Sequence, residues 1–311
     1  MSSYVVTAAD REWFGRCRRA WDLGALGRRA LEPIGESTSA GRMDQALRAA
    51  LAVHYFPGMW SWTRSIVDPL VVAAYEREGG PSVGRDLLAC FQRWSGPVDR
   101  FTPVRVEADL DVPVPDPSRP GHDLSTPSGQ RVRYRDRLPL VLSDEADERV
   151  WLGEHRVVEE FADLDELALD ERLILACWAW EHVELKAPVA GVYYTEFRLD
   201  GELRRTVVAH TTTEKREAAD RLGRAVLTMV ATDVVVDPFP SWSHCRRCPF
   251  RAPCLAMNRG EDPEPLLTAH YRRRPVDILE EGRLGGASWG FGRGAAPPHL
   301  RGADAGGGEG P

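Results

Sequence analysis

Four cysteines constrain this chain more than any other residues do. Cys17 stands near the start, and Cys245, Cys248 and Cys254 form a C-x2-C-x5-C run near the end, in Ser-His-Cys-Arg-Arg-Cys-Pro-Phe-Arg-Ala-Pro-Cys. More than two hundred residues separate the first from the other three. If all four thiolates hold one metal centre, the fold must bring its two ends together around it. Thiolates are soft ligands, suited to an iron–sulfur cluster or to zinc. A centre that closes so long a loop reads as structural. The alternative is that the C-terminal three are ordinary thiols and Cys17 is unrelated to them.

The 311 residues can bury a substantial core, as one elaborated domain or two small ones. No apolar run reaches roughly eighteen residues and no leading segment resembles a signal, so a soluble, cytoplasmic protein without membrane partners is expected. Six cysteines in a reducing compartment favour metal binding over disulfides. Cys90 and Cys177 lie within apolar stretches and read as core thiols. The net charge of −7 argues against nucleic-acid binding over the whole surface. A local basic face remains open, since Arg11, Arg16, Arg18, Arg19, Arg28 and Arg29 crowd the region around Cys17. Lys186 and Lys215 are the only lysines.

Hydrophobic periodicity predicts helices over 10–31, 43–55, 64–78 and 84–94, with Asp10 as the first cap. Alternation then predicts strands over 104–114, 131–142 and 149–161, followed by a helix over 170–180. A strand pair over 188–199 and 203–210 surrounds Asp200-Gly201, a hairpin turn signal. A further helix is expected over 213–232. Three regions result: an N-terminal helical region (1–95) with the first cysteine, an α/β core with the cysteine cluster (96–257), and a C-terminal extension (258–311) with few apolar anchors and a disordered end. The order of elements indicates a mixed α/β core with an N-terminal helical insertion.

Two carboxylates on neighbouring strands carry candidate chemistry. Asp136 lies in Tyr-Arg-Asp-Arg-Leu-Pro-Leu, and Glu154 in Trp-Leu-Gly-Glu-His-Arg-Val. Such a pair can converge on a divalent ion, and hard oxygens suit magnesium or manganese. The ion can activate water and stabilise charge on a phosphodiester. Taken singly, each reads better as an exposed strand charge; it is the pair on a predicted hairpin that points to chemistry. Of the tryptophans at 60, 62, 151, 178, 180 and 242, any could stack a base, though most read as core or strand packing.

This layout resembles the iron–sulfur branch of the PD-(D/E)XK nucleases, the RecB/AddB-like and CRISPR-adaptation exonuclease group. The resemblance spans Trp13 to Cys254 and implies a restriction-endonuclease-like mixed sheet core over 96–257. It implies that Cys17, Cys245, Cys248 and Cys254 bind a [4Fe–4S] cluster, stapling the N- and C-terminal parts. The first acidic position of the family falls on Asp136 and its D/E-x-K motif on Glu154-His155-Arg156, implying magnesium or manganese at Asp136 and Glu154. The chain departs from the family in three places. The motif lysine is Arg156, which stays protonated and cannot serve as a base. The family's metal-binding histidine is Arg48, with His54 on another side of the helix. Its Q-x-x-x-Y motif falls on Arg172 and Ala176.

The resemblance implies a protein acting on DNA at ends or single strands. With Arg48 and Arg172 as candidate phosphate contacts, an arginine-lined cleft would hold phosphates while cleaving poorly. Two alternatives stand beside a weakened nuclease: an inactive DNA-binding or scaffolding subunit with a protein partner, and a zinc-stapled protein unrelated to nucleases.

Overall fold

The structure, a computed structural model, describes residues 3–35, 39–183 and 188–274. The chain opens with β1 (Tyr4–Thr7), α1 (Ala8–Arg16), α2 (Arg18–Gly24) and β2 (Leu31–Pro33). Three helices follow: α3 (Ser39–His54), α4 (Arg64–Arg77) and α5 (Ser82–Val98). Then come β3 (Phe101–Pro113), β4 (Val132–Asp144), β5 (Val150–Val158), α6 (Leu164–Ala168), α7 (Glu171–Glu181), β6 (Val189–Arg198) and β7 (Leu203–Ala209). The last elements are α8 (Thr212–Met229), α9 (Trp242–Cys245), α10 (Arg251–Asn258), α11 (Glu264–His270) and β8 (Tyr271–Arg273).

The result is a mixed α/β core built on a six-stranded sheet of parallel and antiparallel pairs. β3 runs antiparallel along one edge of β4. The other edge of β4 is shared: β1 pairs in parallel with Val132–Arg135, and β5 pairs antiparallel with Leu140–Ser143. β6 joins β5 in parallel, and β7 closes the sheet antiparallel to β6, turning at Gly201 with φ 92°. The stretch Asp136–Pro139 of β4 therefore has no partner in β1 or β5. Pro139 has no N–H to contribute to a ladder, and pairing lapses there on the β3 side too, where Glu107 takes a left-handed φ of 47°. This gap opens the sheet beside Asp136.

Helices cover both faces. On one, α7 and α8 pack Leu173, Trp180, Leu222 and Val226 against Leu110, Val141 and Leu152. On the other, Leu51 of α3, Tyr55 just after it and Phe91 of α5 meet Leu140, Trp151 and Phe197. Arg205 of β7 pairs with Asp99 after α5, tying that helical layer to the sheet, while Lys215 of α8 pairs with Glu181 of α7 and donates to Val189 O of β6. Among the described residues no helix is long and apolar enough to cross a membrane.

Four sequence expectations change. The single helix expected over 10–31 is two helices, broken at Cys17, whose extended backbone (φ −162°, ψ 110°) ends α1 and starts α2. The cap of α1 is Thr7, with Asp10 three residues on completing a reciprocal capping box. The region over 1–95 also contributes strands: β1 joins the main sheet, and β2 pairs antiparallel with β8. The segment 258–274 is anchored, with Leu267 buried against Leu23 and Phe250. Residues 275–311, where a disordered end is expected, lie outside the described residues.

Phe250, between the second and third of the clustered cysteines, is 1% exposed and meets Trp13 of α1 edge-on at 5.3 Å. Phe250→Ala is expected to lower unfolding free energy by about 3–5 kcal/mol, read by urea titration. A loss under about 1 kcal/mol would show that this contact does not hold the two ends together.

Candidate functional site: a carboxylate cleft and a cysteine lobe

The gap beside Asp136 continues into a cavity of about 430 Å³ lined by Arg48, Pro139, Glu154, Arg156 and Arg172. Strand alternation turns Glu154 and Arg156 to one side and His155 to the other. His155 is stacked on Tyr55 at 5.5 Å and packed near Phe91 and Phe197; burial lowers its pKa to about 3. His54 is likewise buried and neutral, its pKa lowered to about 3 mainly by burial, and it faces Arg64 and Ser95. Neither histidine can act as a cation here. Ala176, at the family's tyrosine position, is fully buried in α7.

The structure brings Asp136, Glu154, Arg156 and Arg172 into one cluster. Arg172, on the first turn of α7, places Nη1 3.0 Å from Glu154 Oε1 and Nε 3.4 Å from Asp136 Oδ2. The space between the carboxylates, where a divalent ion would sit, is taken by this guanidinium. Asp136 also accepts from Arg137 N at 2.8 Å and from the Tyr134 hydroxyl at 3.3 Å. Arg156 is drawn to Asp170, the residue that caps α7, and approaches Glu154 at 3.7 Å. Burial opposes the Arg172 charge, but Glu154 and Asp136 more than offset this and hold its pKa above the usual value. On the Glu154 side burial wins: its carboxyl is raised above the ordinary value near 4.5 although Arg172 and Arg156 pull it down. Its Oε2 is buried and makes no hydrogen bond.

Arg48 reaches the cleft from α3 but is bound to Glu107 at 2.8 Å. The arginine-lined cleft expected from sequence is therefore internally neutralised: Arg48, Arg156 and Arg172 each hold a carboxylate. The arginines of β4 are similarly engaged, Arg133 and Arg135 with Asp111 and Arg137 with Asp109. Sequence reasoning missed Asp170 and Glu107 as the partners that consume these cations. The helix start at Asp170 was a signal for the first. Leu-Pro-Leu inside a strand, which forces the irregularity at Glu107, was a signal for the second.

Away from this cleft in sequence, Cys17, Cys245, Cys248 and Cys254 border a second cavity of about 610 Å³. The break between α1 and α2 exposes Cys17 to it, and α9 and α10 carry Cys245 and Cys254. The sulfurs sit among donors: Ser241 N is 3.3 Å from Cys245 Sγ, Phe239 N 3.5 Å from Cys17 Sγ, and Arg19 Nη1 3.6 Å from Cys254 Sγ. Such contacts favour negatively charged sulfur. Cys177 is buried in the core with its pKa pushed up by burial, an inert thiol. Among the described residues no three His, Cys, Asp or Glu side chains are grouped to hold a single metal ion. A tetrahedral zinc with bonds of about 2.3 Å would draw four sulfurs to roughly 3.8 Å of one another. The cavity that the four cysteines border, about 610 Å³, has room for more than one ion.

Arg172→Gln is expected to release both carboxylates. Stability should fall by about 1–2 kcal/mol, less than for a fully buried pair because the Arg172 side chain is 34% exposed. Manganese should then bind the variant by calorimetry and raise its melting temperature, with neither effect in the parent. No manganese binding to the variant would mean that the carboxylates alone cannot form a site. A carboxyl whose native pKa is raised stabilises the fold fully below its ordinary pKa, and that contribution is lost as pH rises through the raised value. Glu154→Gln should therefore flatten the decline in stability above about pH 4.5 in urea titrations. An unchanged pH profile would contradict the raised value.

No protein-family model matches the chain, and no characterised protein matches it in sequence. A solved structure described as "Crystal structure of SSO0001" aligns over 68% of this chain and 82% of that one, with 13% identity and a TM-score of 0.35. A likeness of that size carries no argument about function.

Proposed function

We propose that this chain is a nuclease-fold iron–sulfur protein that binds DNA without cleaving it. The observation that carries the reading is the Arg172 guanidinium lying between Asp136 and Glu154. Hydrolysis of a phosphodiester by such a pair needs a divalent ion to activate water. An ion entering here must displace a cation held by two carboxylates. Arg156, at the motif lysine, stays protonated and is engaged by Asp170, so no base stands in for the ion. Two acidic residues beside a gap in a mixed sheet, with helices on both faces, support a restriction-endonuclease-like core whose cleavage chemistry has lapsed.

The cysteine lobe fits an iron–sulfur cluster better than zinc. Cys17, Cys245, Cys248 and Cys254 border a space wider than one ion needs, and N–H donors approach three of the four sulfurs. A bound [4Fe–4S] cluster would supply a covalent tie between the first helices and the last. All six cysteines are free, which accords with a reducing, cytoplasmic setting. In this reading magnesium or manganese has no catalytic part, and the protein serves as a DNA-binding or scaffolding subunit, with or without a protein partner.

The test uses anaerobically purified protein with end-labelled single- and double-stranded DNA. Expected are a brown protein containing iron and acid-labile sulfide, a salt-sensitive DNA shift without divalent metal, and intact DNA in magnesium or manganese. Metal-dependent degradation that disappears in Glu154→Ala would overturn the non-cleaving reading. Colourless protein carrying one zinc per chain would overturn the cluster.

A further inference from the structure

The cysteine lobe bears a face whose charge and aromatic content the reading above leaves unused. Four arginines, Arg16, Arg19, Arg247 and Arg251, border the cysteine cavity, and no aspartate or glutamate does. Arg16 is paired with Glu12, and Arg19 is engaged by Asn258 and Cys254. Arg247 and Arg251, with the adjacent Arg246, are exposed and form no ion pair among the described residues. In the carboxylate cleft every arginine is spent on an internal carboxylate; here three are available in a chain of net charge −7.

Two large rings accompany them: Phe239 borders the same cavity, and Trp242 begins the short helix α9 that Arg246 caps. Trp242 is 86% exposed and Phe239 67% exposed, whereas Trp151, Trp178 and Trp180 are buried in the core. Phe239 and His244 lie nearly parallel, 6.3 Å apart at 19°. Unpaired guanidiniums next to bare aromatic faces match a polymer with repeated negative charge and accessible bases. An acidic peptide would use the arginines and leave the rings in water. A duplex would use the arginines but offers its base faces to nothing.

We propose that Phe239, Trp242, Arg246, Arg247 and Arg251 form a binding face for single-stranded DNA, with bases stacked on the rings and phosphates held by the guanidiniums. This rests on the reading of the chain as a DNA-binding protein, and it moves the binding from the carboxylate cleft to the cysteine lobe.

The test is fluorescence anisotropy of a labelled oligothymidylate with the full chain, titrated across salt concentrations. Trp242→Ala is expected to weaken binding by about ten-fold, since one stacking platform is removed. Arg246→Glu combined with Arg251→Glu should weaken it further and make the salt dependence shallower by roughly one and a half in logarithmic slope. Trp62→Ala, at an exposed ring in the bend before α4, should bind as the parent does, and circular dichroism should be unchanged in all three. Parent binding that Trp242→Ala and the arginine variant leave intact would overturn the proposed face while leaving DNA binding standing. No binding by the parent at low salt would overturn the DNA-binding reading itself. Competition by polyglutamate as strong as that by unlabelled oligothymidylate, or tighter binding of oligouridylate, would overturn the assignment to single-stranded DNA.

Discussion

Two carboxylates in a half-closed cleft cannot remain charged without a cation between them, and in this molecule the cation is part of the chain. Arg172 supplies it from the first turn of α7, a helix fixed by its Asp170 cap and by a run of buried side chains from Leu173 to Trp180. A guanidinium fits two carboxylates through several N–H donors and does not deprotonate. A divalent ion would do the same electrostatic work but would leave open positions for water and phosphate. A guanidinium in this place therefore meets the requirement that protects the fold and offers no coordination positions to water or phosphate. Arg156 and Asp170 extend the arrangement, so that charge alternates across the cleft with no member left over except one oxygen of Glu154.

The cysteine lobe obeys a different logic. Its shape is set by apolar contacts, Trp13 on Phe250 and Leu23 on Leu267, and by strand pairing between β2 and β8. That packing places the thiols around one cavity. Gly24 shows how close the packing is, since a Cβ there would lie 2.4 Å from the Trp13 ring. The arginines divide accordingly: those of the carboxylate cleft are held by carboxylates, whereas Arg246, Arg247 and Arg251 beside the cysteines are exposed.

Most of the fold was legible in the sequence because period and turn chemistry were strong there. The strand pair around Asp200-Gly201, the alternating β3 and β4, and the helix after Thr211 all follow local rules. What escaped was short or non-local. β1 has four residues, and β2 and β8 have three each, too few to show a period. The break at Cys17 is hidden because the apolar pattern of Trp13, Phe14 and Trp21 continues across it. The positions of Asp136, Glu154, Arg156 and Arg172 could be named from spacing, yet their mutual neutralisation could not, because Glu107 and Asp170 come from other elements.

The pairing of Leu31 with Arg273 joins segments at opposite ends of the described chain. Sequence-distant contacts form late, after loop closure has been offset by the contacts they allow. During synthesis the main sheet can be complete from β1 to β7, with Trp21 and Ala25 already packed in its core, while the other side of α2 still lacks its partners. Leu23 then waits for Phe250 and Leu267, which arrive with the last helices. The lobe is therefore the last part of the molecule to exist, and anything inserted among its cysteines must arrive after nearly all of the chain has been made.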